Sequence, residues 1–117
     1  MLVGQLAEAL KAGTFAGVES IRVVVVPGHT VNMGQQYKFC VQVLEDTSRR
    51  IVAYTDILFR FYVPVDGYPV VVEFMSEGHR NCDDKAALTS TLSELMANAN
   101  MRLRLSSLRT LAQDQLL

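Results

Sequence analysis

Apolar residues near the start of the chain recur with a helical period. Leu2, Leu6 and Leu10 stand four residues apart, and Gly13 follows them. Residues at i, i+4 and i+8 lie on one face of an α-helix, and glycine commonly ends a helix. The pattern predicts a short helix over residues 2–12.

From residue 18 the pattern is that of a strand. The run VESIRVVVVP is β-branched and stops at Pro27 and Gly28, which is typical of a strand that ends in a turn. The next stretch, PGHTVNMGQQ, shows no periodicity and holds two glycines. We therefore expect a long loop here, with residues 28–34 as a lid over a binding surface.

Apolar and polar side chains then alternate with a period of two residues, which predicts β-strands. It runs over residues 37–44 and resumes over residues 51–62. A further β-branched run covers residues 69–75. Asp66-Gly67 between the last two predicts a two-residue type I′ hairpin turn.

That turn sets the register of its hairpin. It pairs Arg60 with Glu73 and Phe61 with Val72, so opposite charges face each other and apolar residues face each other. The strands consequently have one apolar face and one face of mixed character.

The C-terminal forty residues return to a helical period. Leu88, Leu92, Leu95 and Met96 predict one helix, with Asn81 or Asp83 as its N-cap. A second stripe from Met101 to Leu116 predicts another helix that begins at an Asn100 cap.

The order of elements is α-β-β-β-β-α-α. It predicts an α+β fold: a four-stranded, mainly antiparallel meander sheet with a short N-terminal helix and two C-terminal helices packed on one face. A length of 117 residues predicts a single domain, residues 1–117.

Net charge and hydrophobic content limit the classes of binding partner that we expect. A formal net charge of −1 gives no long-range field for nucleic acid or anionic lipid, and half of the residues are hydrophobic. We expect a homo-oligomer, as a dimer, with a partner protein or a small apolar ligand as its binding partner. The N-terminal residues lack a basic segment and Glu8 interrupts them, so we expect a cytoplasmic protein without a membrane span.

The stretch EGHRNCDDK brings His79 and Cys82 close together. A thiolate at a helix N-terminus with a histidine base would be a nucleophile, with His29 as a further catalytic candidate. However, Asp83 and Asp84 disfavour a thiolate, and a capped helix start explains the pattern better. Zinc bound by both histidines, Cys40 and Cys82 lacks the usual paired ligand spacing, so we predict no metal site and no cofactor.

The mixed face of the sheet holds the strongest candidates for binding. Tyrosine and arginine are enriched at protein interfaces, and this face carries both beside aliphatic residues. The predicted binding residues are Tyr54, Asp56, Arg60, Tyr62 and Glu73.

These observations favour a small, non-enzymatic binding module that self-associates through the mixed face or a sheet edge. One alternative is a small enzyme or metal site built on His29, His79 and Cys82. Another is a nucleic-acid-binding module that uses the C-terminal arginines Arg102, Arg104 and Arg109, although apolar residues interleave with them.

Overall fold

The computed structural model describes residues 2–32, 34–49, 51–74 and 78–115. Over these residues it contains α1 (Leu2–Ala12), β1 (Ile21–Val31), β2 (Gly34–Asp46), β3 (Ile51–Val63), β4 (Val70–Phe74), β5 (Gly78–Cys82), α2 (Lys85–Ala97) and α3 (Ala99–Gln115). The α+β class, with one helix at the N-terminus and two at the C-terminus, is confirmed. Of the predicted segments, Met33, Met75, Glu77 and Leu116 lie outside the described residues.

The strands form one sheet in the order β1-β2-β3-β4-β5, and pairing is antiparallel from β3 to β5. The prediction of four strands is wrong, because the described residues form five. The sequence pattern does not reveal β5, since its exposed His79, Arg80 and Asn81 show no apolar alternation. Pairing with β4 forms this strand: Asn81 lies opposite Val71, and Cys82 lies opposite Val70.

The predicted register between β3 and β4 is confirmed. Arg60 lies opposite Glu73, and Phe61 lies opposite Val72. The ion pair predicted across these strands is present, with 3.7 Å between Nη1 of Arg60 and Oε1 of Glu73.

The turn of that hairpin is different from the predicted one. β3 ends at Val63 and β4 begins at Val70, and the Gly67 N–H donates to the carbonyl of Pro64 at 2.9 Å. In this register Pro64 would face Pro69, and proline has no N–H to donate to the ladder. The ladder therefore stops before the tip, and a two-residue turn cannot form.

The prediction of a long loop after Pro27 is also wrong. β1 continues to Val31 and β2 begins at Gly34, so most of this stretch is a hairpin. At Gly28 an added Cβ would lie 2.4 Å from Oε1 of Gln36, the far end of a flexible side chain. Gly34 has φ +115°, a conformation that side chains other than hydrogen disfavour.

The C-terminal helices keep their predicted stripes but begin at other residues. Asp84 is the N-cap of α2, and its carboxylate accepts from the Ala87 N–H at 2.8 Å. Asn81 belongs to β5 instead, and the predicted cap at Asn81 or Asp83 is wrong. α3 begins at Ala99, so Asn100 lies inside the helix rather than capping it.

The chain divides into two compact units. Unit 1 consists of Met1–Val24, Val41–Asp56 and Ala99–Leu117. In this unit the Ser20 hydroxyl donates to the carbonyl of Ala112 at 3.0 Å and is buried with it. The buried apolar residues of unit 1 are Val3, Leu10, Phe15, Val18, Ile21, Val41, Val43, Leu44, Met101, Leu105, Leu108 and Ala112.

Unit 2 consists of Val25–Cys40 and Ile57–Asn98. Phe39 and Phe59 stack at its centre with ring centroids 4.8 Å apart. α2 packs against this core, and Sγ of Cys82 lies 3.4 Å from Oγ1 of Thr91. The buried apolar residues of unit 2 are Phe39, Cys40, Leu58, Phe59, Phe61, Tyr62, Val70, Val71, Val72, Cys82, Leu88, Leu92 and Leu95.

Candidate functional site

An open groove of about 400 Å³ lies in unit 1 between β3 and α3. Its residues from β3 are Tyr54 and Asp56, which share one face of the strand because they are two positions apart. Both were predicted as binding residues. The lining residues from α3 are Leu103, Arg104, Ser107, Leu108 and Leu111.

An ion pair forms one wall of this groove. Nη2 of Arg104 lies 2.5 Å from Oδ1 of Asp56, and Nε lies 3.3 Å from Oδ2. A guanidinium that meets a carboxylate at two points has fixed geometry as well as charge complementarity. The two charges neutralise each other, so the remaining lining is mostly apolar.

Among the described strands, the first half of β3 has a neighbour on one side alone. β4 pairs with β3 from Phe59 to Tyr62, and β4 itself ends at Phe74, opposite Phe59. Residues Ile51–Thr55 therefore extend past the end of β4, and in the described part of the chain β2 is their one neighbouring strand. We call Ile51–Thr55 the free edge.

Every side chain of the free edge is exposed, on both faces of the strand. The exposed fractions are 43% for Ile51, 37% for Val52 and 48% for Tyr54. The segment reads IVAYT and contains no charge, no proline and no glycine. An apolar strand with unpaired N–H and C=O groups is a template for another strand.

The other three predicted binding residues lie together in unit 2. Tyr62 Oη donates to Oε2 of Glu73 at 2.6 Å, and Nε2 of Gln36 lies 3.1 Å from the same hydroxyl. Arg60 completes the cluster through its ion pair with Glu73. Gln36 was not predicted.

This cluster changes the acidity of the tyrosine. The hydrogen bond to Glu73 raises the pKa of Tyr62, and burial raises it further. The phenol is mostly buried and its hydrogen bonds are made within the protein. Its geometry is that of a structural network more than of a surface for a partner.

The five predicted binding residues therefore fall into two groups. Tyr54 and Asp56 belong to unit 1 and line its groove, while Arg60, Tyr62 and Glu73 belong to unit 2. Of these five residues Tyr54 is the exposed one, and the groove beside it offers a surface for binding.

The residues predicted as weak catalytic candidates, His29, His79 and Cys82, do not form one site. His29 lies on β1 and His79 on β5, the outer strands of the described sheet. Neighbouring strands are about 4.8 Å apart, so the two histidines are separated by roughly 19 Å along the sheet. Cys82 is buried at the end of β5 beside Thr91, and Cys40 is buried on β2.

No group of three His, Cys, Asp or Glu residues within the described ranges could hold a metal ion.

Two of the three C-terminal arginines bind groups of the protein itself. Arg104 contacts Asp56, and Nη1 of Arg109 donates to the carbonyls of Thr14 and Ala16 at 2.8 and 3.2 Å. Arg102 is exposed.

Comparison of the chain with protein-family models, curated proteins and solved structures finds no match. None of the described helices combines the length and the apolar character needed to cross a membrane.

The α3 side of the groove was missed by sequence reasoning. Leu103 is 66% exposed, whereas its stripe neighbours Met101 and Leu105 are buried. An apolar residue that stands off the buried stripe of an amphipathic helix is the available signal. Arg104 gives no such signal, because its partner Asp56 is 48 positions away in the chain.

Proposed function

We propose that this protein is a non-enzymatic binding module that adds an extended protein segment to the free edge of β3. The carrying observation is the uncharged, exposed segment Ile51–Thr55, which lies beyond the end of β4. In strand addition the main-chain hydrogen bonds supply affinity, and pockets for alternate side chains supply specificity.

The groove supplies such a pocket. Tyr54 and Asp56 point to the same side of β3 as the lining residues of α3. An added strand would lie beside β3, and its alternate side chains on that side would reach Leu103 and the apolar lining. Backbone pairing and side-chain burial would then occur at the same place.

The outer strands are poorer sites for addition. β1 contains Pro27, which has no N–H, and proline on an edge hinders pairing. β5 is five residues long and exposes His79, Arg80 and Asn81. Short, polar edges are a common protection against strand addition.

Both cysteines are buried thiols that form no disulfide, which suits a reducing compartment. We therefore propose the cytoplasm as the site of this activity.

A synthetic peptide that copies residues 51–56 tests the proposal. We expect the labelled peptide to bind the full chain, with NMR shift changes confined to β3 and α3. The control is the same peptide with alternate N-methylated amides, which keeps the side chains but removes donors. Absence of binding, or equal binding of both peptides, would contradict strand addition.

A further inference from the structure

We infer that the strand added to the free edge is the free edge of a second copy, so that two chains pair antiparallel about a two-fold axis at Ala53. This inference rests on the proposed function, because it names the partner of the same edge. The partner copy supplies side chains that fill the groove.

The sequence of the free edge is complementary to itself in this register. With Ala53 opposite the partner's Ala53, Val52 lies opposite the partner's Tyr54, and Ile51 lies opposite the partner's Thr55. Pairs of aromatic with β-branched residues are favourable across antiparallel strands. The smallest side chain of the segment stands at the axis, where two identical side chains must meet.

Neighbouring registers are worse. Centring the pair on Tyr54 sets Val52 opposite the partner's Asp56, which places a carboxylate against an aliphatic side chain and disturbs its contact with Arg104. Centring it on Val52 pairs only three residues of the free edge, 51–53. The Ala53 register pairs all five residues without opposing any charge.

The groove is completed by the partner in the same arrangement. Facing residues of an antiparallel pair lie on the same side of the sheet, so the partner's Val52 lies on the side of Tyr54 and α3. There it would cover the exposed Leu103 and the open lining of the groove. The two-fold axis makes this burial reciprocal.

Electrostatics permits this association. The formal net charge is −1, so repulsion between two copies is weak at long range. Asp56 and Arg104 neutralise each other at the end of the interface. Five paired residues and one groove form a small interface, so we expect a reversible dimer with a dissociation constant in the micromolar range.

Cross-linking through Ala53→Cys tests the register directly. Residues that face each other in an antiparallel pair have Cα atoms about 4.5 to 5.5 Å apart, which is within the range a disulfide spans. We expect rapid formation of a covalent dimer under mild oxidation. Cys40 and Cys82 are buried and should not contribute. The control is Val65→Cys, at a fully exposed turn, which should cross-link slowly.

A pair of lysine substitutions tests the energetics. Val52→Lys puts a charge into the dimer interface and should weaken dimerisation roughly tenfold or more, as measured by sedimentation over a range of concentrations. Val65→Lys makes the same change of charge outside it and should leave dimerisation unchanged. Circular dichroism of each variant checks that it is folded.

The outcomes separate the two proposals. A wild-type chain that stays monomeric to several hundred micromolar, or an Ala53→Cys variant that cross-links no faster than Val65→Cys, overturns the second copy as partner. If the peptide of residues 51–56 still binds in that case, strand addition stands with another partner. If neither the peptide nor a second copy binds, both proposals fail.

Discussion

Tyr62 illustrates how a single predicted binding residue acquires a structural role. Its pattern on the mixed face of the sheet favoured an interface, because tyrosine often combines an apolar ring with a polar tip. In the structure Tyr62 is mostly buried, and its hydroxyl contacts Glu73 and Gln36. Tyr54, which lies earlier on the same strand, remains exposed. One residue type therefore serves two purposes along β3.

Replacing Tyr62 by Phe should lower the free energy of unfolding by about 1 to 2 kcal/mol at neutral pH, because the Glu73 carboxylate loses a donor. Glu73 raises the pKa of Tyr62 in the folded protein, so this stabilisation is complete below the unfolded value of about 10 and is lost as pH rises through the folded pKa. The wild type should therefore approach Tyr62→Phe in stability at high pH, as urea titrations would measure.

The control for this substitution is Tyr68→Phe, at an exposed residue of the turn between β3 and β4. It leaves the Glu73 contact intact and should not change the dependence on pH. An equal gap between wild type and Tyr62→Phe at neutral and strongly alkaline pH would contradict the assigned role of the hydroxyl.

At the scale of elements, the difference in strand length creates the proposed site. β3 has thirteen residues and β4 has five, so β4 pairs with only the second half of β3. The first half is left as an edge beside α3. At the other end of β3, the backbone of Gly34 on β2 packs closely against the backbone of Val63 and Pro64.

Gly34→Ala should destabilise the protein by about 2 kcal/mol or more. The added Cβ would lie 2.4 Å from the carbonyl oxygen of Val63, and φ is +115°. Gly4→Ala is the matched control, since an added Cβ has open space there and alanine is favoured in helices by up to about 1 kcal/mol. Thermal melts of the two variants should shift in opposite directions. A neutral Gly34→Ala would disprove the close contact.

At the scale of the whole molecule, two compact units share the sheet strands β1, β2 and β3. Each unit buries its own apolar cluster, and both cysteines belong to unit 2. A thiol with no accessible surface reacts only when the structure around it opens. Thiol labelling therefore reports on the opening of that unit.

In the native protein, we expect Cys40 and Cys82 to react with an aromatic disulfide reagent far more slowly than a model thiol reacts in solution. Their labelling should accelerate with urea in parallel with the loss of the circular dichroism signal, because both are buried. Rapid labelling of Cys82 without denaturant would contradict its burial and would revive the enzyme alternative. A Cys82→Ala variant identifies which thiol reacts.

The fold class could be predicted from the chain because it depends on local periodicity. The four-residue spacing of Leu88 and Leu92, and the alternation that pairs Arg60 with Glu73, are short-range patterns. β5 could not be predicted in this way, because its polar residues are held in a strand by hydrogen bonds to β4 rather than by their own preference.

The candidate site likewise has a part that the sequence predicts and a part that it does not. The sequence alone determined that Tyr54 and Asp56 share one face of a strand, because side chains alternate in any strand. Only the tertiary structure decided that α3 brings Leu103 and Arg104 against that face and that β4 ends before reaching it. Contacts between residues about fifty positions apart depend on how elements pack, and no local pattern records that packing.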